Sequence, residues 1–132
     1  GLDLRLPAVV DAVGRLAQAE LPVRLFIDPD EAMIRRAAEL GVRTVELHTG
    51  DFANAMPAAM PSELARLSAG ARLGAELDLR VAAGHGLTVE NTPRLLAAAP
   101  EVEEVNIGHA LVSDAVFTGL ERAVRAFLAV LK

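Results

Sequence analysis

Two spacings of apolar residues alternate along this chain. From Pro7 to Glu20, Val9, Val10, Val13, Leu16 and Ala17 recur at helical intervals and predict one helix with a single buried stripe. Val23 to Ile27 is a short apolar run interrupted only by Arg24, and it predicts a strand. Asp28-Pro29-Asp30-Glu31 then reads as a helix start with a capping carboxylate, and Asp28 itself is assigned to that cap. The helix is expected to reach Leu40 and stop at Gly41. The cycle repeats with strands at Arg43 to Leu47, Leu79 to Ala82 and Glu104 to Ile107. Helices are expected at Pro61 to Glu76, Thr92 to Ala98 and Gly119 to Leu131. Asp51 to Pro61 reads as a loop or short helix, and Ser113 as the cap of a turn.

Four strands alternating with helices predict an α/β fold of parallel β/α units with right-handed crossovers. Two closures fit that order: an open doubly wound sheet, or half of a (β/α)8 TIM barrel. A whole barrel takes ~250 residues, and this chain has 132 with no linker that would divide it. The barrel reading makes residues 1–132 one half of a single domain. Two sheet edges and the inner strand faces would then await a partner.

Composition narrows the function classes. The chain is 52% hydrophobic but only 3% aromatic, so the expected core is aliphatic and close-packed. Thirteen Lys and Arg against eighteen Asp and Glu leave a net charge of −5, with no basic run, which argues against nucleic acid as a partner. No apolar stretch approaches the ~20 residues of a membrane span. Gly1-Leu2-Asp3-Leu4 lacks a signal layout, so a cytoplasmic location is expected. The absence of cysteine excludes disulfides and thiolate metal sites.

The three histidines, His48, His85 and His109, each follow a predicted strand directly. In parallel α/β folds the carboxyl ends of the strands form the ligand edge. Each histidine by itself could merely bond a backbone carbonyl in a tight loop, but all three on one edge favour a shared site. Gly84-His85-Gly86 and Asn106-Ile107-Gly108-His109 occupy the loops after the last two strands. Barrels often grip phosphate there with main-chain N–H groups and a helix N-terminus. Glu46 alternates with Val45 and Leu47, so it shares a face with His48, inward in a barrel. A carboxylate there implies either function or a structural ion pair, for instance with Arg24. Arg35, Arg36, Arg66 and Arg72 read as solvated helix faces. A metal held by Glu46, His48, His85 and His109 ranks lower, since no short ligand spacing occurs.

Four segments in order carry a family resemblance: Leu25-Phe26-Ile27-Asp28, Val45-Glu46-Leu47-His48-Thr49-Gly50, Ala83-Gly84-His85-Gly86-Leu87-Thr88 and Asn106-Ile107-Gly108-His109-Ala110. Together they resemble the second half of the pyridoxine 5′-phosphate synthases, and Gly1-Leu2-Asp3-Leu4 is similar to the segment after that family's fourth strand. The resemblance implies a TIM barrel of which this chain supplies strands five to eight. It implies condensation of 1-deoxy-D-xylulose 5-phosphate with 3-amino-2-oxopropyl phosphate, releasing phosphate and water, with no metal or organic cofactor. It makes His85 the proton donor and Glu46 the stabiliser of charged intermediates. Gly86, Gly108 and His109 become contacts to substrate phosphate, and a homo-oligomer, an octamer in that family, is expected. Ala82 stands where that family is expected to carry Asn. The family's general-base His and Glu and a phosphate-binding Arg lie in the first half, so this chain alone is expected to lack a complete site. A non-catalytic phosphate-binding α/β module, or a half barrel that dimerises through its strand edges, are the competing expectations.

Overall fold

A computed structural model describes residues 2–131, so Gly1 of the N-terminal match lies outside the described residues. The order is α1 (Pro7–Gln18), β1 (Arg24–Ile27), α2 (Glu31–Glu39), β2 (Thr44–His48), α3 (Gly50–Ala53), α4 (Met60–Glu76), β3 (Arg80–Gly84), α5 (Thr92–Ala98), β4 (Val102–Asn106), α6 (His109–Thr118) and α7 (Leu120–Val130). The four strands form one parallel sheet in sequential order β1-β2-β3-β4, without the reversal of a doubly wound sheet.

Strand alternation separates two faces. Leu25, Ile27, Val45, Leu47, Val81 and Ala83 point one way and join a single buried cluster. Val13 of α1, Ile34 and Ala37 of α2, Leu67 and Ala71 of α4 and Leu95 of α5 belong to the same cluster. These helices therefore cover one face of the sheet, and the other face carries Arg24, Phe26, Glu46, His48, Glu104 and Asn106. Ala82, on that other face, stands outside the core cluster, yet it is only 1% exposed. Its cover comes from the strands themselves. Arg24 on β1 donates to both carboxylate oxygens of Glu104 on β4, at 2.5 and 3.0 Å. In a flat sheet these outer strands would lie about 14 Å apart, three strand spacings. A pair spanning them requires the sheet to curl, concave toward the polar face, and Ala82 lies between them opposite both Glu46 and Glu104 in register.

The Arg24 guanidinium holds the Glu104 carboxyl below the ordinary carboxylate range, and Glu104 in turn raises Arg24. A carboxyl depressed in the folded state adds stability above its unfolded value of about 4.3, and that contribution is lost as pH falls through the folded value. Glu104→Gln is therefore expected to flatten the loss of stability between about pH 5 and pH 3, followed by urea denaturation at each pH. Equal pH slopes in the two proteins would mean the bridge contributes nothing.

Element boundaries shift from expectation in instructive places. β3 runs two residues further, to Gly84, because Ala83 continues the buried face and His48 pairs with Gly84 in register. β4 begins earlier, at Val102, across a register irregularity between Val81 and Ala82. Ser113 caps no turn; it lies inside α6, which continues from His109 to Thr118. The cap of α2 is Asp30, not Asp28: the Asp30 carboxylate accepts from the N–H groups of Ala32 and Met33 at 3.0 and 3.3 Å. Arg66 does more than face solvent, for it bridges Glu63 and Asp51 and ties α4 to α3. The stop at Gly41 holds, with φ of 75° just beyond α2.

The edges are open. β1 and β4 each have one strand neighbour among the described residues. α6 buries no residue, leaving Val112, Val116 and Phe117 exposed, Phe117 at 88%.

Candidate functional site

Parallel strands in register bring their carboxyl ends to one edge, and all three histidines sit there: His48 ends β2, His85 follows β3, and His109 opens α6. Two clusters result. His85, Gly86, Gly108 and His109 line a cavity of about 510 Å³ together with Asn106 and Thr88. Glu46 and His48 lie beside it on the concave face.

Among the described residues no carboxylate lines the cavity, although the chain is acidic overall. Its polar supply is imidazole, amide, hydroxyl and main chain. The first turn of α6 begins at His109 with Gly108 as its N-cap, and no side chain caps it. The first N–H groups of a helix have no carbonyl within it, and the helix dipole adds partial positive charge there. Such a helix end suits an anion. Nothing lies within 4 Å of where a Gly108 Cβ would stand, so the space beside this residue is open. Gly86 has the opposite setting. Its φ is 76°, and a Cβ there would meet the Ala53 Cβ at 2.5 Å. Its carbonyl accepts from Asn91 Nδ2 at 3.0 Å, which fixes the following turn.

Glu46 is positioned by the two strands after its own. Asn106 Nδ2 donates to Glu46 Oε2 at 2.7 Å, and Arg24 stands 4.0 Å away from the same oxygen. The ion pair with Arg24 weighed for Glu46 is therefore secondary, since Arg24 engages Glu104 fully. Glu46 Oε1 lies 2.2 Å from where a Gly84 Cβ would stand. The missing side chain at Gly84 gives that carboxylate its place. Ala82, opposite Glu46 on β3, offers it no hydrogen bond, and Asn106 supplies one instead. Glu46 stays 18% exposed on its side chain, half-sheltered and reachable from the concave face.

His85 adopts φ of 83°, a left-handed conformation that costs a residue with a Cβ about 1–2 kcal/mol. Thr49 clamps this strained turn. Fully buried, it donates its N–H to the Gly84 carbonyl at 2.9 Å. Its hydroxyl lies 2.7 Å from the Gly84 carbonyl and 2.6 Å from that of His85, sharing one proton between them. Thr49→Val keeps the shape and removes the donor, so a loss of about 1–3 kcal/mol is expected in urea denaturation. A change under 0.5 kcal/mol would show that the clamp is idle.

Thr49, Asn106 and Asp28 were not singled out from sequence as site residues. Asn106 had a readable signal, because it alternates with Glu104 on the polar face. Thr49 had none beyond its place between His48 and Gly50. Among the described residues, no three His, Asp or Glu side chains come together as a metal-holding group. No described helix is long and apolar enough to cross a membrane.

Comparison with known proteins identifies the family. A family model described as pyridoxal phosphate biosynthesis protein PdxJ matches residues 1–132. A pyridoxine 5′-phosphate synthase of Geobacter sulfurreducens is 44% identical, covering 100% of this chain and 56% of the relative. One from Synechococcus sp. is 48% identical over 95% of this chain and 53% of its own length. One from Parasynechococcus marenigrum is 43% identical, with coverage of 100% and 53%. The chain thus spans about half the length of these relatives. On that match, the chain belongs to the PdxJ family.

Proposed function

We propose that this chain supplies the second half of a (β/α)8 barrel acting as a pyridoxine 5′-phosphate synthase. The observation that carries the reading is the carboxylate-free cavity between the Gly86 and Gly108–His109 loops, with His85 on its wall and Glu46 beside it. In this reading the α6 N-terminus, Gly86 and His109 hold a substrate phosphate. His85 delivers a proton as 1-deoxy-D-xylulose 5-phosphate condenses with 3-amino-2-oxopropyl phosphate and the ring closes, releasing phosphate and water. An imidazole can serve that purpose near neutral pH. Glu46, held by Asn106, balances positive charge that develops on nitrogen during the condensation.

The half-barrel reading draws support from the sequential strand order, the curl demanded by the Arg24–Glu104 pair, and the single strand neighbour that each of β1 and β4 has among the described residues. A closed barrel has no edges, and its strands curl around one interior. Exposed Val116 and Phe117 are then covered by the rest of the barrel or by another subunit of a homo-oligomer. The reading needs no metal or organic cofactor and only small phosphorylated partners, in a cytoplasmic setting.

The test joins this chain in one polypeptide to the part of the Geobacter relative that it does not match. Product is followed by chromatography with both substrates supplied. Formation of pyridoxine 5′-phosphate by the joined protein, and none by the 132-residue chain alone, is the expected result. Binding of both phosphate esters without product would favour the non-catalytic module, and turnover by the chain alone would sink the half-site reading.

A further inference from the structure

His48 is the one histidine of the edge that lines no part of the phosphate cavity, and its surroundings give it a different task. Its ring is held on three sides. Phe26 meets it edge-on, with centroids 5.2 Å apart and planes at 84°. Asp28 Oδ1 stands 3.4 Å from its Nδ1. The His85 ring lies on it at 4.8 Å with a 38° tilt. His85 itself is exposed and, among the described residues, has no other ring contact. An exposed imidazole on a turn would ordinarily sample several rotamers.

Gly50 makes the contact feasible. A Cβ there would come within 2.7 Å of His48 Cε1, 2.8 Å of His48 Nε2 and 3.0 Å of His85 Cδ2. One missing methyl group therefore admits both rings. Thr49, between His48 and Gly50, grips the carbonyl of His85 from the same short segment. Backbone and ring of His85 are thus both referenced to residues 48–50. The same segment is tied to the end of β1 through Asp28, whose Oδ1 faces His48, while Asp30 caps α2.

We propose that Asp28 and His48 form a positioning pair that sets the direction of the His85 imidazole. Asp28 selects the His48 tautomer with its proton on Nδ1, since the partner of one ring nitrogen decides where the proton resides. The fixed His48 ring then serves as the platform on which His85 rests. Neither residue touches the phosphate cavity, so both act through His85. The proposal rests on the reading of His85 as the proton-delivering group, but its central readout does not.

That readout is nuclear magnetic resonance of the chain with 15N-labelled histidines, at about pH 8.5, where ordinary imidazoles are neutral. Only three imidazoles are present, and His109 serves as the internal control. The expected wild-type result is His48 with its proton on Nδ1 and His85 in a single χ1 rotamer. His48→Ala is expected to average the His85 rotamer, Asp28→Ala to move the His48 proton and loosen His85 partly, and Gly50→Ala to shift both rings. His109 should stay unchanged in all three. A His85 rotamer that is unchanged in folded His48→Ala, or a wild-type His48 proton on Nε2, would overturn the proposal. Should His48→Ala not fold, an unchanged His85 in Asp28→Ala and Gly50→Ala would overturn it equally. In the joined polypeptide His48→Ala should lower kcat about 10- to 100-fold, the scale of a misplaced reacting group, with KM nearly constant. A loss confined to KM would count against it. Ring behaviour as expected with no turnover in wild type would instead sink the synthase reading alone.

Discussion

His85→Gly is expected to make the chain more stable and the joined polypeptide nearly inactive. The stability gain comes from the backbone. His85 sits at φ 83°, where a Cβ costs about 1–2 kcal/mol and glycine pays no such cost. The greater freedom of an unfolded glycine takes back about 0.5–1 kcal/mol. The net is a gain of about 0.5–1 kcal/mol, or a rise of roughly 2–4 °C in Tm for a domain of this size. Little packing is lost, since the side chain is exposed and its ring contact is with His48. Turnover should fall by about 10²–10⁴-fold, the usual worth of a positioned general acid. Thermal scans of the chain and product assays of the joined protein check the two halves separately. Opposite signs would mark a residue kept for chemistry at the expense of the fold. A drop in stability beyond 1 kcal/mol would make His85 a structural residue.

Much of this arrangement is legible without coordinates because it follows from period and punctuation. The strand containing Val45, Glu46 and Leu47 reads correctly from alternation alone: Val45 and Leu47 are buried, while Glu46 and His48 are half-buried on the opposite face. The α2 stop reads from Gly41, because only the far side of a helix end so favours a positive φ. What sequence spacing could not supply were the cross-strand partners. Asp28 reads as the cap from sequence, but the turn geometry gives the N–H groups to Asp30 and turns Asp28 toward His48. Arg24 could answer Glu46 or Glu104, and only the curl of the sheet decides for Glu104, 80 residues away. The β3 extension to Gly84 also escaped local reading, since two glycines around a histidine look like a turn. Parallel pairing with His48 holds the first of them in the strand. Ser113 is a similar case: a good capping residue is carried into a helix whose start is fixed at Gly108, five residues earlier.

The second large effect concerns the cavity wall. Gly86→Ala meets two obstacles, and they can be separated. The residue's φ of 76° burdens any Cβ by about 1–2 kcal/mol. The added methyl would also stand 2.5 Å from the Ala53 Cβ, an atom on α3 that no rotamer change can move. Overpacking of this kind costs about 1–3 kcal/mol. A combined loss of about 2–5 kcal/mol is expected in urea denaturation, with weaker binding of inorganic phosphate as the loop moves away from the Gly108–His109 turn. Ala53→Gly in the same chain removes the steric part and leaves the backbone part. The double variant should therefore recover about half of the loss, the non-additivity expected of residues in direct contact. Gly84→Ala provides the contrast. Its Cβ would meet the carboxylate end of Glu46, which can swing away at small cost in stability while giving up Asn106. Glu46 would then lose its place beside the site with the fold nearly intact. Recovery of both stability and phosphate binding in Gly86→Ala/Ala53→Gly would show that contact between α3 and the Gly86 loop, more than glycine's backbone freedom, shapes the cavity. Recovery of neither would assign the effect to φ alone.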